Sequence, residues 1–186
     1  MPALETRIYR LILDQRRAID PKARNLALDP ELVGIARKRS AAMARTNSFA
    51  DAGGDKHVSA TMLMDEDATF QGLVGENVAA QHFTAQSGID VDTFAQRFVE
   101  GWIASAPHKA NLSFADYNRT GVGAAVNGDT IYVTQLFATD LGLGPHNASA
   151  PASQVEPVAS PQKGKDDSEK LPLRGTIAPG AARPME

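Results

Sequence analysis

An α+β fold, with helices packed on an antiparallel sheet, follows from three features of the sequence. Apolar residues recur at helical spacing in several stretches before position 110. Two alternating runs after position 120 flank a tight-turn dipeptide, and no internal repeat of fixed period competes with either pattern.

Leu4, Ile8, Leu11 and Ile12 mark one face of a first helix, and Asp20-Pro21 breaks it. Asp29-Pro30-Glu31 then reads as a helix start. Asp caps free amides, Pro suits the first helical position, and Glu favours the positive end of the helix dipole. Leu32, Ile35, Ala36 and Met43 give that second helix its buried stripe. A third helix is expected from about Asp92, with Phe94, Ala95, Phe98, Trp102 and Ile103 on one side. Such stripes are read as core, not as a cofactor box.

Strands come late. Gly121 to Val126 and Thr130 to Phe137 flank Asn127-Gly128, a pair suited to the positive backbone angles of a hairpin turn. Ile131, Val133 and Phe137 suit one face, and Tyr132, Thr134 and Leu136 the other, so both faces are expected to be partly covered. An extended piece from Leu73 to Ala80 adds a third strand. Near Asp140 the composition changes: residues 141–186 contain no Phe, Trp or Tyr and hold 7 of the 11 prolines. They cannot bury enough apolar surface to offset about 1–2 kcal/mol of backbone ordering per residue. The expected organisation is one domain over 1–140 and a disordered Pro/Ala/Ser-rich tail over 141–186, serving as spacer or tether.

Charge and composition exclude several classes of function. Residues 1–140 hold 14 basic and 17 acidic residues and the tail 5 of each, so no strong field invites nucleic acid or an anionic bilayer. No run approaches the roughly 20 apolar residues of a membrane helix. The absence of Cys excludes disulfides, thiol nucleophiles and thiolate metal sites. Met1 to Arg17 mixes charges and lacks a continuous apolar centre, so no secretory leader is visible.

The groups able to carry chemistry are His57, Glu76 and His108, with His82 weaker and His146 expected to be a solvated tail side chain. None falls in a His-Glu-x-x-His helix, a phosphate loop, a Gly-x-Ser-x-Gly elbow or an EF-hand, so any site must be assembled from distant segments. Glu76, in Gly75-Glu76-Asn77-Val78, sits among small and apolar residues. A carboxylate there needs a hydrogen-bond partner or a cation, and structural pairing and a site role both remain open. His108 follows Ser105-Ala106-Pro107, and Pro107 is read as opening a short helical turn through Leu112. Imidazolium is disfavoured near a helix N-terminus, so the neutral ring is expected, against the alternative of a surface or capping His. His57 ends Gly53-Gly54-Asp55-Lys56-His57, a loop in which an exposed residue is the plain reading.

The order of several short motifs resembles one family. Leu28-Asp29-Pro30-Glu31-Leu32, a loop His, Gly75-Glu76-Asn77, Trp102 to Leu112, Gly121-Val122-Gly123 and Tyr132-Val133-Thr134-Gln135-Leu136-Phe137 follow one another as in the CAP superfamily. That superfamily comprises the cysteine-rich secretory, antigen 5 and pathogenesis-related 1 proteins, and the resemblance is to its Cys-free bacterial branch, over about Thr6 to Thr139. It implies a three-layer α-β-α sandwich around a central antiparallel sheet, and an extracellular or periplasmic location. It also implies a cleft of His57, Glu76 and His108, with His57 and His108 as candidate ligands for a divalent cation such as zinc. Eukaryotic members carry a second Glu where this chain has Ser105, and a His where it has Tyr132, so their four-residue cleft is reduced to three.

Three readings follow. The first is a secreted binding module whose cleft holds a divalent ion or a small polar or lipid ligand, losing metal affinity below about pH 6.5 as imidazole protonates. The second is a metal-assisted or His/Glu-assisted hydrolase. The third is a non-catalytic protein-interaction domain in which the polar groups are only a structural network.

Overall fold

The computed structural model describes residues 1–49, 58–84, 86–140 and 174–176. Its elements run α1 (Pro2–Ile19), β1 (Ala27–Leu28), α2 (Pro30–Thr46), α3 (Val58–Glu66), β2 (Gly72–His82), α4 (Val91–Ala104), α5 (Ala106–Ser113), β3 (Arg119–Asn127), β4 (Thr130–Asp140) and β5 (Arg174–Thr176). The strands form one sheet in the order β1-β3-β4-β2-β5. α1, α4 and α5 pack together on one face, and α2 with α3 covers the other, which makes the α-β-α sandwich. Pairing is antiparallel from β3 to β5. The two residues of β1 add a parallel pair on β3, which neither periodicity nor turn residues announce.

Local chemistry explains the helix limits. α1 buries Leu4, Ile8 and Ile12 and ends at Asp20, whose extended backbone suits the residue before a proline. α2 opens as the sequence predicts: Asp29 Oδ1 accepts from the amides of Glu31 at 2.8 Å and Leu32 at 3.3 Å, with Pro30 in the first turn. It closes on Asn47 in the left-handed region (φ 50°), one of the few residue types that tolerates it. α4 begins at Val91, because Asp90 is the cap and accepts from Thr93 N at 2.7 Å. α3 was not foreseen. Its nine residues are too few for periodicity to stand out, and it takes its place by packing against α2 and β2.

The hairpin turn lies one residue further along than Asn127-Gly128. Asn127 pairs with Thr130 as the last residue of β3, leaving Gly128-Asp129 as the turn, and only Gly128 has positive φ (58°). The Asn127 side chain donates to Ala44 O at 2.7 Å, which holds it in the strand. Both faces of β4 are covered, as its alternation predicts. Ile131, Val133 and Phe137 join the core under α1 and α4 with Phe98, Trp102 and Tyr117, while Tyr132, Leu136 and Ala138 face α2 and α3. Each large side chain so buried contributes about 1.5–3 kcal/mol.

Two glycines set how closely α2 approaches the sheet. A Cβ on Gly121 or Gly123 would lie 2.2 Å from the carbonyl carbon of Leu32 or Ala36, so the helix backbone rests directly on β3. On the other face, the Arg16 guanidinium near the end of α1 donates to the carbonyls of Arg24, Leu112, Phe114, Ala115 and Tyr117 at 2.7–3.0 Å. One buried side chain thus fastens the segment between α5 and β3 to α1, and desolvation lowers its pKa.

The expected tail lies outside the described residues except for Arg174–Thr176, which form β5 on the outer edge of β2. No helix among the described residues is long and apolar enough to cross a membrane.

Candidate functional site

Gly75-Glu76-Asn77 lies in β2 with β4 on one side, and strand alternation sends its side chains to different layers. Gly75 faces α5 and the core: a Cβ there would meet Tyr117 Oη at 2.5 Å and Asn111 Oδ1 at 3.0 Å. Asn77 points the same way, donating to His108 O at 3.2 Å and accepting from Asn111 Nδ2 at 2.9 Å. Asn111 Nδ2 also donates to Glu76 O at 3.0 Å. Two buried amides therefore fasten α5 to β2.

Glu76 projects the other way, toward α2 and α3. Its carboxylate is enclosed, with Oε1 3.4 Å from Arg39 Nε and accepting from the Ser59 hydroxyl. Arg39 is equally buried and donates through a second nitrogen to Phe49 O at 3.0 Å. Of the two roles left open for Glu76, partners for structural pairing are present, a guanidinium and a hydroxyl. Tyr132, at the position where eukaryotic relatives carry His, lies on this same face. It is hydrogen-bonded to Asn47 and packed edge-on against Phe49, with ring centroids 6.3 Å apart.

His108 sits in the first turn of α5 and is fully buried, so the surface alternative does not describe it. Its Nδ1 lies 2.8 Å from Ser105 Oγ, at the position where eukaryotic relatives carry the second Glu. Ser105 ends α4 and begins α5, and its hydroxyl goes to the ring instead of capping the helix. Helix α5 starts at Ala106, one residue earlier than Pro107.

His57 lies outside the described residues. Phe49, whose carbonyl accepts from Arg39, and Ser59, which donates to the Glu76 carboxylate, are described residues before and after it. His82 is six residues further along β2, about 20 Å away at the rise of a strand, where it bonds Thr130 Oγ1 at 2.8 Å and lies 3.4 Å from Asp129. It belongs to the hairpin end of the sheet. His146 is also outside the described residues.

Among the described residues, no group of three or more His, Cys, Asp or Glu could hold a metal. Two open grooves lie away from Glu76. One, of about 330 Å³, is lined by Ala41, Ala44, Arg45, Ala125, Val126 and Asn127. The other, of about 250 Å³, is formed by Met1 to Leu4 with Ile89 and Val91.

Sequence reasoning missed Arg39, Ser59 and Asn111. Arg39 left a signal: it follows Leu32 and Ile35 at helical spacing, a cation in a buried stripe that requires an anionic partner. Ser59 and Asn111 left none, because their partners come from remote parts of the chain.

Residues 21–137 match the model of the cysteine-rich secretory protein family, CAP. The chain belongs to this family. No curated protein matches its sequence. Among solved structures, this CAP domain is similar to an extracellular protein of Bacillus anthracis that contains an SCP domain. The TM-score is 0.56 at 28% identity, covering 74% of this chain and 40% of that one. The CAP chain thus spans two-fifths of that relative. It is also similar to an outer surface protein of Borrelia burgdorferi, with TM-score 0.55, 19% identity and coverage of 71% and 89%. A third similar structure, NaASP2 with Zn²⁺, has TM-score 0.52, 12% identity and coverage of 74% and 80%. At that identity the last two speak for the fold alone.

Proposed function

We propose that this CAP domain is an extracellular or periplasmic binding module that acts by protein interaction without catalysis, its polar groups serving as a structural network. One observation carries the reading. Glu76 and His108, the groups a hydrolase would use, are 2% and 0% exposed. Glu76 is engaged by Arg39 and Ser59, and His108 by Ser105. A general base must come within hydrogen-bond reach of substrate or water, and enclosed, engaged groups are poorly placed for that. A relative described as an extracellular protein supports the location.

A divalent ion fits the described donors poorly. Glu76 Oε1 already faces a guanidinium, whose charge opposes a dication. A polar-ligand site with His57, Glu76 and His108 as donors is the second reading, favoured by Ser59, two positions after His57 in sequence, donating to the Glu76 carboxylate.

The test pairs two measurements on the full chain. We expect no turnover on a broad peptide and ester panel with zinc supplied, and no selective imidazole NMR shift at His57 or His108 on zinc titration at pH 7.5. Turnover abolished by Glu76→Gln would overturn the non-catalytic reading. Saturable shifts at both rings that vanish at pH 5.5 would replace it with the metal-binding one.

A further inference from the structure

The two edges of β2 are used unequally. β4 pairs with it from Gly72 to His82, whereas β5 pairs only with Glu76, Asn77 and Val78. β5 comes from far along the chain, yet it packs against α5 as well as β2. A three-residue strand therefore lies on the outer edge of the segment that carries Gly-Glu-Asn, with Thr176 opposite Glu76 and Gly175 opposite Asn77.

A sheet edge presents amides and carbonyls that any extended segment can pair with, so its first selectivity is for backbone conformation. Here α5 walls one side of the edge and is itself fastened to β2 by Asn77 and Asn111, which holds the slot in shape. The resident strand is short. Its few backbone hydrogen bonds are opposed by the cost of ordering its own residues. A contact of three residues leaves most of the β2 edge, eight of its eleven residues, without a partner on that side among the described residues.

We propose that the outer edge of β2, beside Glu76–Val78, is a strand-acceptor site for an extended peptide, and that the chain's own Arg174–Thr176 is its resident, displaceable occupant. The proposal deepens the interaction reading above and rests on it for its purpose, not for its geometry. The tail then acts as an internal competitor that keeps the edge covered until a longer or better-matched strand arrives.

Hydrogen exchange of the full chain, read by mass spectrometry over residues 72–82, tests it. The perturbation is Gly175→Pro with Thr176→Pro. Consecutive strand residues point their amides to opposite sides, so one of the two prolines removes a donor toward β2 whichever way the strand faces. Exchange within residues 76–78 should accelerate about tenfold or more while β3 and β4 amides stay unchanged, the signature of a local opening. A synthetic peptide of residues 171–179 should restore the protection saturably, and a copy carrying the two prolines should not. Equal exchange in the two proteins, or equal rescue by both peptides, would overturn the proposal. Either failure leaves the non-catalytic reading standing, whereas enzymatic turnover would sink that reading without altering exchange at β2.

Discussion

Replacing Glu76 by Ala probes the buried pair that links β2 to α2. The carboxylate and the Arg39 guanidinium are 3.4 Å apart, with side chains 3% and 5% exposed, so neither can turn to water when its partner is lost. Breaking a buried pair costs about 3–5 kcal/mol, because the remaining charge is left uncompensated. Arg39 keeps its bond to Phe49 O, which places the expected loss near the lower end, about 3 kcal/mol. For a domain of this size that corresponds to a fall in Tm of about 10 °C. The assay is urea denaturation with thermal unfolding, both followed by circular dichroism. The companion variant, Glu76→Leu with Arg39→Met, removes both charges and should recover most of the loss, since apolar replacement of a whole buried pair is often neutral. A fall in Tm below about 2 °C for the single variant, with no recovery in the double, would refute the argument. Glu76 would then be a group held for a ligand and not for the fold.

Two further outcomes follow from buried polar groups on the other face. Arg16→Met removes donors from five carbonyls and should cost about 3 kcal/mol or more in urea denaturation. Arg16→Lys should recover less than half of that, because an ammonium has three donors and no planar fork. Burial pushes the Tyr117 phenol up to about 12 from 10.0, despite the nearby Arg16 charge. The folded chain therefore holds that proton more tightly than the unfolded one. The contribution is whole below pH 10 and is lost as pH rises toward 12, by up to about 3 kcal/mol. Tyr117→Phe should flatten the alkaline limb of a stability-against-pH profile. It should leave stability near pH 7 within about 0.5 kcal/mol, because the hydroxyl has no hydrogen-bond partner among the described residues.

Much of the scaffold was legible because its determinants are local. Asp29-Pro30-Glu31 caps its own helix through atoms two and three residues away. The alternation in β4 was enough to say that both faces are at least partly covered, and the folded chain covers both. The hairpin was legible to within one residue. The error has a tertiary cause: Asn127 is held in β3 by a carbonyl at the end of α2. β1 was invisible because two residues carry no periodicity, and its pairing with β3 depends on where α1 and α2 leave the chain.

The candidate site divides along the same line. Unaided, the amino-acid order determined that Glu76 must be compensated and that His108 lies at the start of a short helix, because burial cost and helix capping act through neighbours in the chain. Only the folded molecule decided which compensation Glu76 receives, that Asn77 and Asn111 clamp α5 to β2, and that Glu76 and Asn77 turn to opposite layers. Those outcomes depend on partners 17 to 37 positions away in sequence, a separation over which no local pattern constrains the chain and only the packing of helices on a twisted sheet brings the groups together.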